Sequence, residues 1–436
     1  MAHVTALRGT IVHFTDDPFL VGKEKAFVSH EDGLLIAEDG IITAVGPWSE
    51  TKEKLPEGVE VEHYEGHVIS AGFIDSHIHY VQTGMIGSYG EQLIDWLNNY
   101  TFIEEQKLKD PSAAREMAAM FCDQLVRNGT TTGFTFAAVY PDTVDALFEE
   151  TERRNMRMIA GKVMMDRNAP DGLLDTAQSS YDESKALLEK WNGRGRQQYA
   201  ITPRFAPTST PEQLEAAATL WKEHPEVHLH SHLMENVGEL AWVKELYPEH
   251  PGYLHVYDHY GLVGRRALFA HGVHMEERDM RLLHEREAAI AHCPTSNLFL
   301  GSGLFPLREA KDPSRPVHVG LGTDVGGGTS FSMLQTMNEA YKVAQLRNHP
   351  LEGVNSFFLA TLGSARSLDI EDKVGTLTPG HEADIVVLDP RATPIMDFRM
   401  SRSKDIEDVL FLLGVMGDDR CVKATYVAGK KAYERA

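Results

Sequence analysis

Residues 72–80 of the chain read GFIDSHIHY. β-Branched and apolar residues lead into this stretch, which is typical of a buried strand. Because side chains alternate along a strand, His77 and His79 point to one side, about 6.6 Å apart along the chain, and Asp75 shares that face. Two imidazoles at the end of a buried strand make half of a zinc-type site. Such a pair also arises by chance, so the interpretation depends on the rest of the chain.

Strand-like and helix-like runs alternate from about residue 67 to residue 374. The strand candidates are His67–Ile78, Thr130–Val139, Met156–Met165, Tyr199–Phe205, Val227–Leu233, Leu268–Val273, Ala288–His292 and Val317–Gly322. The helix patterns between them include Ser112–Asn128, Pro141–Arg154, Ser184–Trp191, Pro211–His224 and Glu276–His284. This alternation predicts parallel strands with crossover helices. About eight such units over roughly 300 residues predict an α/β fold, a (β/α)8 TIM-like barrel.

Short strand patterns at both chain ends predict a second, smaller domain. They lie at residues 9–14, 33–37 and 41–45 and again at 384–388 and 424–428. We expect the two ends to pair into one small β-sandwich, since chain termini often lie close together. The predicted organisation is residues 1–66 as the N-terminal part of the sandwich, residues 67–374 as a metal-dependent barrel, and residues 375–436 as the C-terminal part of the sandwich.

Composition excludes some classes of partner. The 436 residues carry a formal net charge of −22, which argues against nucleic-acid and anionic membrane surfaces as partners. Three cysteines without paired spacing suit a reducing compartment. The N-terminus lacks the pattern of a signal peptide, and no uncharged apolar run is long enough to span a membrane. These features predict a cytoplasmic protein.

Ligand-type residues fall where the predicted strands end, which in a barrel is the face that carries the chemistry. Zinc takes nitrogen and oxygen ligands, and a catalytic zinc keeps one position for water. His228, His230 and His232 share one face of the fifth strand, but only His232 lies at the rim. The predicted ligands are therefore His77, His79, His232 and Asp324.

Other residues near these strand ends have alternative interpretations. Glu235 follows His232 at His-x-x-Glu spacing and either moves protons beside a metal-bound water or is a solvated surface residue. Asp324 could instead cap the helix after its glycine-rich turn, and His271 could stabilise a tetrahedral intermediate. We expect His230 to pack or hydrogen-bond below the ligands and His292 to be structural.

The expected metal count is one. Barrel hydrolases with two metals commonly use a bridging lysine on the fourth strand, where this chain has Arg204, and Lys162 lies on the third strand. A nitrogen-rich site of this kind does not distinguish zinc from iron.

The sequence resembles the amidohydrolase superfamily, and within it the guanine deaminase family of metal-dependent deaminases. The resemblance covers nearly the whole chain. It is carried by SAGFIDSHIHY (70–80), GSYGEQLIDWLNNYTF (87–102), RNGTTT (127–132), MRMIAGKVMMDRNAPDGLLDT (156–176), YAITPRFAPTST (199–210), HSHLMEN (230–236), HCPTSNLFLGSGLF (292–305), GLGTDVGGGTSFSMLQTMNEAYK (320–342) and TPGHEADIVVLDP (378–390).

This resemblance implies a hydrolase of purine metabolism that converts guanine to xanthine and ammonia, with one zinc ion per subunit of a homodimer. It implies that Glu235 is the proton shuttle, with Asp324 sharing in proton removal, and that His271 polarises the reacting centre. Gln82, Arg204 and Phe205 would hold the purine. An arginine fork suits the acceptor edge of guanine, an amide can donate and accept, and a phenyl ring can pack on a purine face.

Three alternatives stay open at this level. A related deaminase acting on another purine, a pterin or cytosine would share the metal site and differ only in the pocket. A cyclic-amide hydrolase would more often need two metals. A non-catalytic scaffold would be expected to have lost ligands, and none is missing. We also expect the segment from Tyr89 through Glu91 to Leu97 to form a helix or loop over the pocket and exclude water.

Overall fold

The computed structural model of this chain describes residues 3–90 and 92–436. Its strands, in chain order, are β1 Val4–Phe14, β2 Phe27–Glu38, β3 Ile41–Pro47, β4 Glu62–Ala71, β5 Phe73–His79, β6 Thr130–Phe136, β7 Arg157–Gly161, β8 Val163–Met164, β9 Gln197–Pro203, β10 His228–Leu233, β11 Ala267–His271, β12 Ala289–His292, β13 His318–Leu321, β14 Ile385–Leu388, β15 Val422–Val427 and β16 Lys430–Glu434.

The helices lie mostly between the strands of the central region. In chain order they are α1 Pro18–Val21, α2 Lys23–Ala26, α3 Trp48–Thr51, α4 Leu93–Trp96, α5 Phe102–Lys107, α6 Pro111–Arg127, α7 Pro141–Arg153, α8 Ala177–Trp191, α9 Pro211–Glu223, α10 Val237–Leu246, α11 Tyr253–His259, α12 Glu277–Glu285, α13 Pro294–Phe299, α14 Leu307–Ala310, α15 Met333–Leu346, α16 Gly353–Leu359, α17 Leu362–Ser367, α18 Pro394–Met400 and α19 Ile406–Met416. Among the described residues, no helix is both long enough and apolar enough to cross a membrane.

The central strands form the predicted barrel. The order is β13-β12-β11-β10-β9-β7-β6-β5, all parallel, and the short β8 pairs with β9. Backbone hydrogen bonds close the ring between its first and last strands: His79 N donates to Val325 O at 2.8 Å, and Asp324 N donates to His77 O at 2.9 Å. These bonds place His77, His79 and Asp324 on one rim. The prediction of a (β/α)8 barrel is confirmed.

The two chain ends form one separate mixed sheet, as predicted. Its strand order is β16-β15-β14-β4-β1-β2-β3. Strand β4 joins the two ends, because it pairs parallel with β1 and antiparallel with β14. The sheet curls, since Ile41 bridges to Glu382, and Leu7 and Ile42 pack in one apolar cluster with Ile385.

The first predicted barrel strand, His67–Ile78, is in fact two strands. Residues up to Ala71 belong to β4 in the terminal sheet, and the barrel strand β5 begins at Phe73. Gly72 lies at the junction, where a Cβ atom would sit 2.4 Å from Thr131 Oγ1, so only glycine fits. Strand β4 therefore runs across the expected domain limit at residue 66, and the domain limits stay a prediction.

The predicted helix Ser184–Trp191 is longer than expected, because α8 begins at Ala177. Thr176 and Ser179 cap its first turn reciprocally, each side chain bonding the backbone N–H of the other. The third helical position of a capping box is usually glutamate or glutamine, but here it is Ser179. The sequence signal for the start of this helix was therefore weak.

Candidate metal centre and active site

Three imidazoles and one carboxylate converge at the rim of the barrel. His77 and His79 end β5, His232 lies on β10, and Asp324 follows β13. The Nε2 atom of His79 lies 3.2 Å from Nε2 of His77 and 3.2 Å from Nε2 of His232. Asp324 Oδ1 lies 3.2 Å from His77 Nε2 and 3.4 Å from His79 Nε2. The structure therefore brings all four predicted ligands to one point.

The far sides of the imidazoles are held by other groups. His232 Nδ1 lies 2.7 Å from the carbonyl oxygen of Arg204, so it must donate, which leaves Nε2 unprotonated and able to bind a metal. His77 Nδ1 lies 2.8 Å from Nε2 of His230, which places His230 below the ligands. Burial lowers the pKa of His79 and of His232 well below the ordinary value. Neutral rings with converging nitrogens and one carboxylate fit a divalent metal.

Two other histidines of the strands lie outside this cluster. His228 Nε2 is 2.7 Å from the carbonyl oxygen of Leu368, at the opposite end of β10 from the rim. His292 stacks on Phe305 with ring centroids 4.5 Å apart, and neither of its ring nitrogens has a hydrogen-bond partner in the described part of the chain. Both side chains are buried.

Glu235 and His271 lie beside the cluster. Glu235 Oε2 is 3.4 Å from His271 Nε2, and Ser302 Oγ donates to Glu235 Oε1 at 3.4 Å. The other ring nitrogen of His271, Nδ1, is 2.9 Å from Asn297 Oδ1. Asp324 Oδ2 is 3.8 Å from His271 Nε2. A carboxyl group and an imidazole therefore face the same small space as the metal ligands.

The two carboxyl groups at this site differ in proton affinity. Burial, and then the negative charge of Asp324, raise the pKa of Glu235 well above its ordinary value. Burial alone would also raise the pKa of Asp324, but His77, together with His271 and Ser296, outweighs burial and the pKa is lowered. Carboxyl groups whose pKa values are pushed apart can take different roles, one remaining ionised while the other carries a proton.

A small pocket opens beside the cluster and contains the three predicted substrate residues. Gln82, Arg204 and Phe205 line it with Glu235 and His271. Phe205 is buried and packs edge-on against Trp242, with ring centroids 6.2 Å apart. The remaining lining is mostly apolar, from Leu93, Trp96, Leu97 and Leu300.

The predicted cover of this pocket is a short helix. Helix α4 begins at Leu93 and ends at Trp96, and a single π-helical turn, Leu97–Thr101, continues it. Trp96 is buried between the pocket and an apolar cluster that includes Phe102. Glu91, part of the same predicted segment, lies outside the described residues.

The sequence did not single out several buried residues of this site. Glu105 contacts both Arg204 and Gln82, and Asn297 contacts His271. Glu239 accepts hydrogen bonds from Glu235 N at 2.7 Å and from Asn236 N at 3.2 Å. The spacing Asn236-x-x-Glu239 is a capping box and could have identified Glu239, whereas Glu105 had no local signal.

Lys162 does not take part in the cluster. Its ammonium group pairs with Asp175 and lies 3.2 Å from Glu183 Oε2. Within the described residues, the ligand groups close enough to share an ion come from His77, His79, His232, His271 and Asp324. The fold and the site define a parallel barrel with a buried His/Asp metal site at the carboxyl ends of its strands.

Comparison with known proteins identifies the family. The chain belongs to the amidohydrolase family, whose model matches residues 68–432. It is 52% identical over 433 residues to the guanine deaminase of Escherichia coli strain K12, covering 99% of this chain and 98% of that protein. It superimposes with a TM-score of 0.97 on the guanine deaminase of Bradyrhizobium japonicum, at 40% identity, covering 99% of this chain and all of that one.

One further solved structure contains a ligand. The guanine deaminase of C. acetobutylicum, with bound guanine in the active site, is 27% identical to this chain and has a TM-score of 0.88. The match covers 99% of this chain and 100% of the other.

Proposed function

We propose that this chain is a guanine aminohydrolase that uses one zinc ion to convert guanine and water to xanthine and ammonia. The observation that carries the proposal is the placement of Arg204, Gln82 and Phe205 in one pocket that opens directly on the His/Asp cluster. The full-length similarity to guanine deaminases supports it.

His77, His79, His232 and Asp324 would hold the ion. Three neutral imidazoles and one carboxylate suit zinc, which takes few ligands of these types and keeps a position for water. The bound ion would supply Lewis acidity that makes water nucleophilic near neutral pH. Lys162 is paired elsewhere, in keeping with one ion per chain.

Glu235 is the proposed proton shuttle. Its raised pKa lets it accept the proton that water loses on attacking C2 of guanine, and Asp324 shares in that removal. Glu235 then delivers that proton to ring N3. The second proton of the attacking water passes from the C2 hydroxyl through Asp324 to the amino group, so that the C2–N bond breaks, ammonia leaves and the C2 carbonyl of xanthine forms. His271, held through Nδ1 by Asn297, would face the tetrahedral centre with Nε2 and stabilise it.

Three side chains would hold the purine. The Arg204 guanidinium can donate to the acceptor edge of guanine, formed by O6 and N7. The Phe205 ring, fixed by Trp242, can pack on the purine face. Gln82 Nε2 donates to Glu105 Oε1 at 3.0 Å and lies 3.1 Å from His79 Nδ1, which occupies both of its N–H groups. Its Oε1 receives the Gly326 N–H at 3.3 Å, so the second lone pair of that oxygen is the group left for a substrate donor.

The test is an assay of purified, zinc-loaded protein with guanine, following xanthine by ultraviolet absorbance and ammonia by a coupled reaction. Glu235→Gln should lose turnover by at least about 10²-fold, the usual contribution of a general acid or base. Glu245→Gln, an exposed glutamate on α10, is the matched control and should match the wild type.

A parallel panel of adenine, cytosine and a pterin separates the alternatives. Turnover of one of these with none of guanine would keep the metal site and reject the pocket assignment. Inactivity on all of them would favour a different substrate class or a non-catalytic chain. The family resemblance also carries the proposal of a homodimer, tested by light scattering. The three unpaired cysteines support the proposal of a cytoplasmic location, tested by cell fractionation.

A further inference from the structure

Glu105 is a fully buried carboxylate next to the pocket. It lies on the short helix α5, and its side chain is 0% exposed. Arg204 Nη1 donates to both of its oxygens, at 3.0 Å to Oε1 and 2.8 Å to Oε2. Gln82 Nε2 donates to Oε1 at 3.0 Å. One buried group therefore contacts two of the three side chains proposed to hold the purine.

This arrangement determines which parts of Arg204 remain for a ligand. In the described part of the chain, the hydrogen bonds of its side chain all use Nη1. The guanidinium also lies over the Phe102 ring, with Cζ 5.4 Å from the ring centroid, and Phe102 is on the same helix as Glu105. Helix α5 therefore holds the guanidinium in place from two sides, with Nε and Nη2 left for another acceptor.

The pairing also balances the charge of the pocket at Arg204. A buried guanidinium without its partner would be an uncompensated cation, and an anion would then be its best ligand. With Glu105 in place, the pair is neutral overall, and the remaining N–H groups act as hydrogen-bond donors to neutral acceptors such as a ring nitrogen or a carbonyl oxygen.

We propose that Glu105 is a positioning residue that sets substrate specificity. It fixes the orientation of Arg204 and Gln82, and by cancelling the charge of Arg204 it makes the pocket select a neutral purine over an anionic one. This inference rests on the proposed function, since it assigns the pocket to purines. Glu105 acts through its two partners and takes no part in the bond changes.

The test compares guanine turnover with competitive inhibition by two purines of different charge. Urate is an anion at pH 7.5, and hypoxanthine is neutral. In Glu105→Gln the KM for guanine should rise at least about tenfold, as expected for a lost hydrogen bond to a charged group, with a smaller change in kcat. The affinity for urate relative to hypoxanthine should rise at least fivefold over the wild type. Glu105→Asp keeps the charge and should keep the wild-type ratio even where KM rises.

The matched control is Glu104→Gln. It makes the same acid-to-amide change one residue away, on a carboxylate that pairs with the exposed Lys107, and should leave both KM and the ratio unchanged. Should Glu105→Gln fail to fold, the double variant Arg204→Gln, Glu105→Gln removes both charges. It should return the urate-to-hypoxanthine ratio to within twofold of the wild type while KM stays high.

Equal weakening of all three purines in Glu105→Gln, with an unchanged ratio, would overturn the proposal and leave Glu105 a structural ion pair. Binding of urate and hypoxanthine is also measured by calorimetry, which does not depend on turnover. If the wild type fails to deaminate guanine, the proposed function fails, while the calorimetric ratio still decides the role of the Glu105 charge. Absence of any purine binding overturns both.

Discussion

Asp75 fastens the first strand of the barrel to the last through Thr323. Its Oδ1 accepts from Thr323 N at 3.0 Å and from His77 N at 3.2 Å, and its Oδ2 accepts from Thr323 Oγ1 at 2.5 Å. Burial raises the pKa of this carboxyl to about 7. Burying it in ionised form costs free energy, which its hydrogen bonds offset. It shares a strand face with His77 and His79, but its oxygens are directed to the seam of the barrel, which is the junction between β5 and the residues that follow β13.

Removing this contact should open the seam. Asp75→Ala leaves two buried N–H groups and one hydroxyl without an acceptor, and each buried unsatisfied group costs about 1–3 kcal/mol. We expect the metal-free protein to lose at least about 3 kcal/mol of unfolding free energy, measured by urea denaturation. Thr323→Val, which removes the hydroxyl and leaves Asp75 Oδ2 without that donor, should cost about 1–3 kcal/mol.

The control for the seam is Thr132→Val on the neighbouring strand β6. Thr132 is also fully buried, but its Oγ1 has no hydrogen-bond partner among the residues the structure describes. Replacing that hydroxyl by a methyl group should be neutral or stabilising. If Thr323→Val behaves like Thr132→Val, the Asp75–Thr323 contact does not hold the barrel closed.

Metal binding should depend on His232 and not on His228. Both lie on β10 with side chains on one face, but His232 reaches the cluster while His228 bonds Leu368 O. Chelation should lower the Tm of the wild type, and added zinc should restore it, because a ligand that binds only the folded state stabilises by about 2.7 kcal/mol at 100 times its Kd. His232→Asn should lose this zinc-dependent rise, measured by calorimetry.

His228→Asn should retain that rise from a lower starting Tm, since it loses packing and one hydrogen bond but no ligand. Retention of one bound zinc per chain in His232→Asn, measured by elemental analysis, would contradict the ligand assignment.

Trp96 should act by its bulk and not by its N–H group. It lines the pocket, is 3% exposed, and its Nε1 has no hydrogen-bond partner among residues 3–90 and 92–436. Trp96→Ala should raise KM for the substrate about tenfold or more, because it uncovers the pocket and removes apolar contact. Trp96→Phe keeps most of the contact and should stay within about threefold. Equal losses in the two variants would show that the indole N–H touches the substrate.

The strands of the barrel could be found from the sequence because each is an apolar run bounded by turn residues. The rim residues followed from the strand ends, as with His232 at the end of β10. The break at Gly72 could not be found this way, because it depends on the contact with Thr131, which is distant in the chain.

Glu105 illustrates the same limit at the site. In the sequence it is one of several charged residues on a short helix, and such residues are mostly exposed to solvent. Only the folded chain shows that Arg204, 99 residues away, meets it in the interior. A local pattern can therefore predict which residues reach the rim, but not which distant partner holds each of them.

The terminal sheet should make the protein less stable in mild acid through His13. This residue on β1 is buried, and its Nδ1 lies 3.2 Å from Thr376 Oγ1. Burial, followed by the neighbouring His30 and His381, lowers its pKa from 6.5 to about 4. As the pH falls below 6.5, His13 becomes protonated in the unfolded chain, whereas in the folded chain it stays neutral until about pH 4. The free energy of unfolding therefore falls over that pH range. About 2 kcal/mol of this loss should occur between pH 7.5 and pH 5, since one pKa unit is about 1.4 kcal/mol.

His13→Asn cannot take up this proton in either state, so its Tm should fall less than that of the wild type over the same interval, measured on metal-free protein. His284→Asn, at an exposed position on α12, is the control and should follow the wild type. Parallel pH profiles for wild type and His13→Asn would assign the acid sensitivity to the other buried histidines.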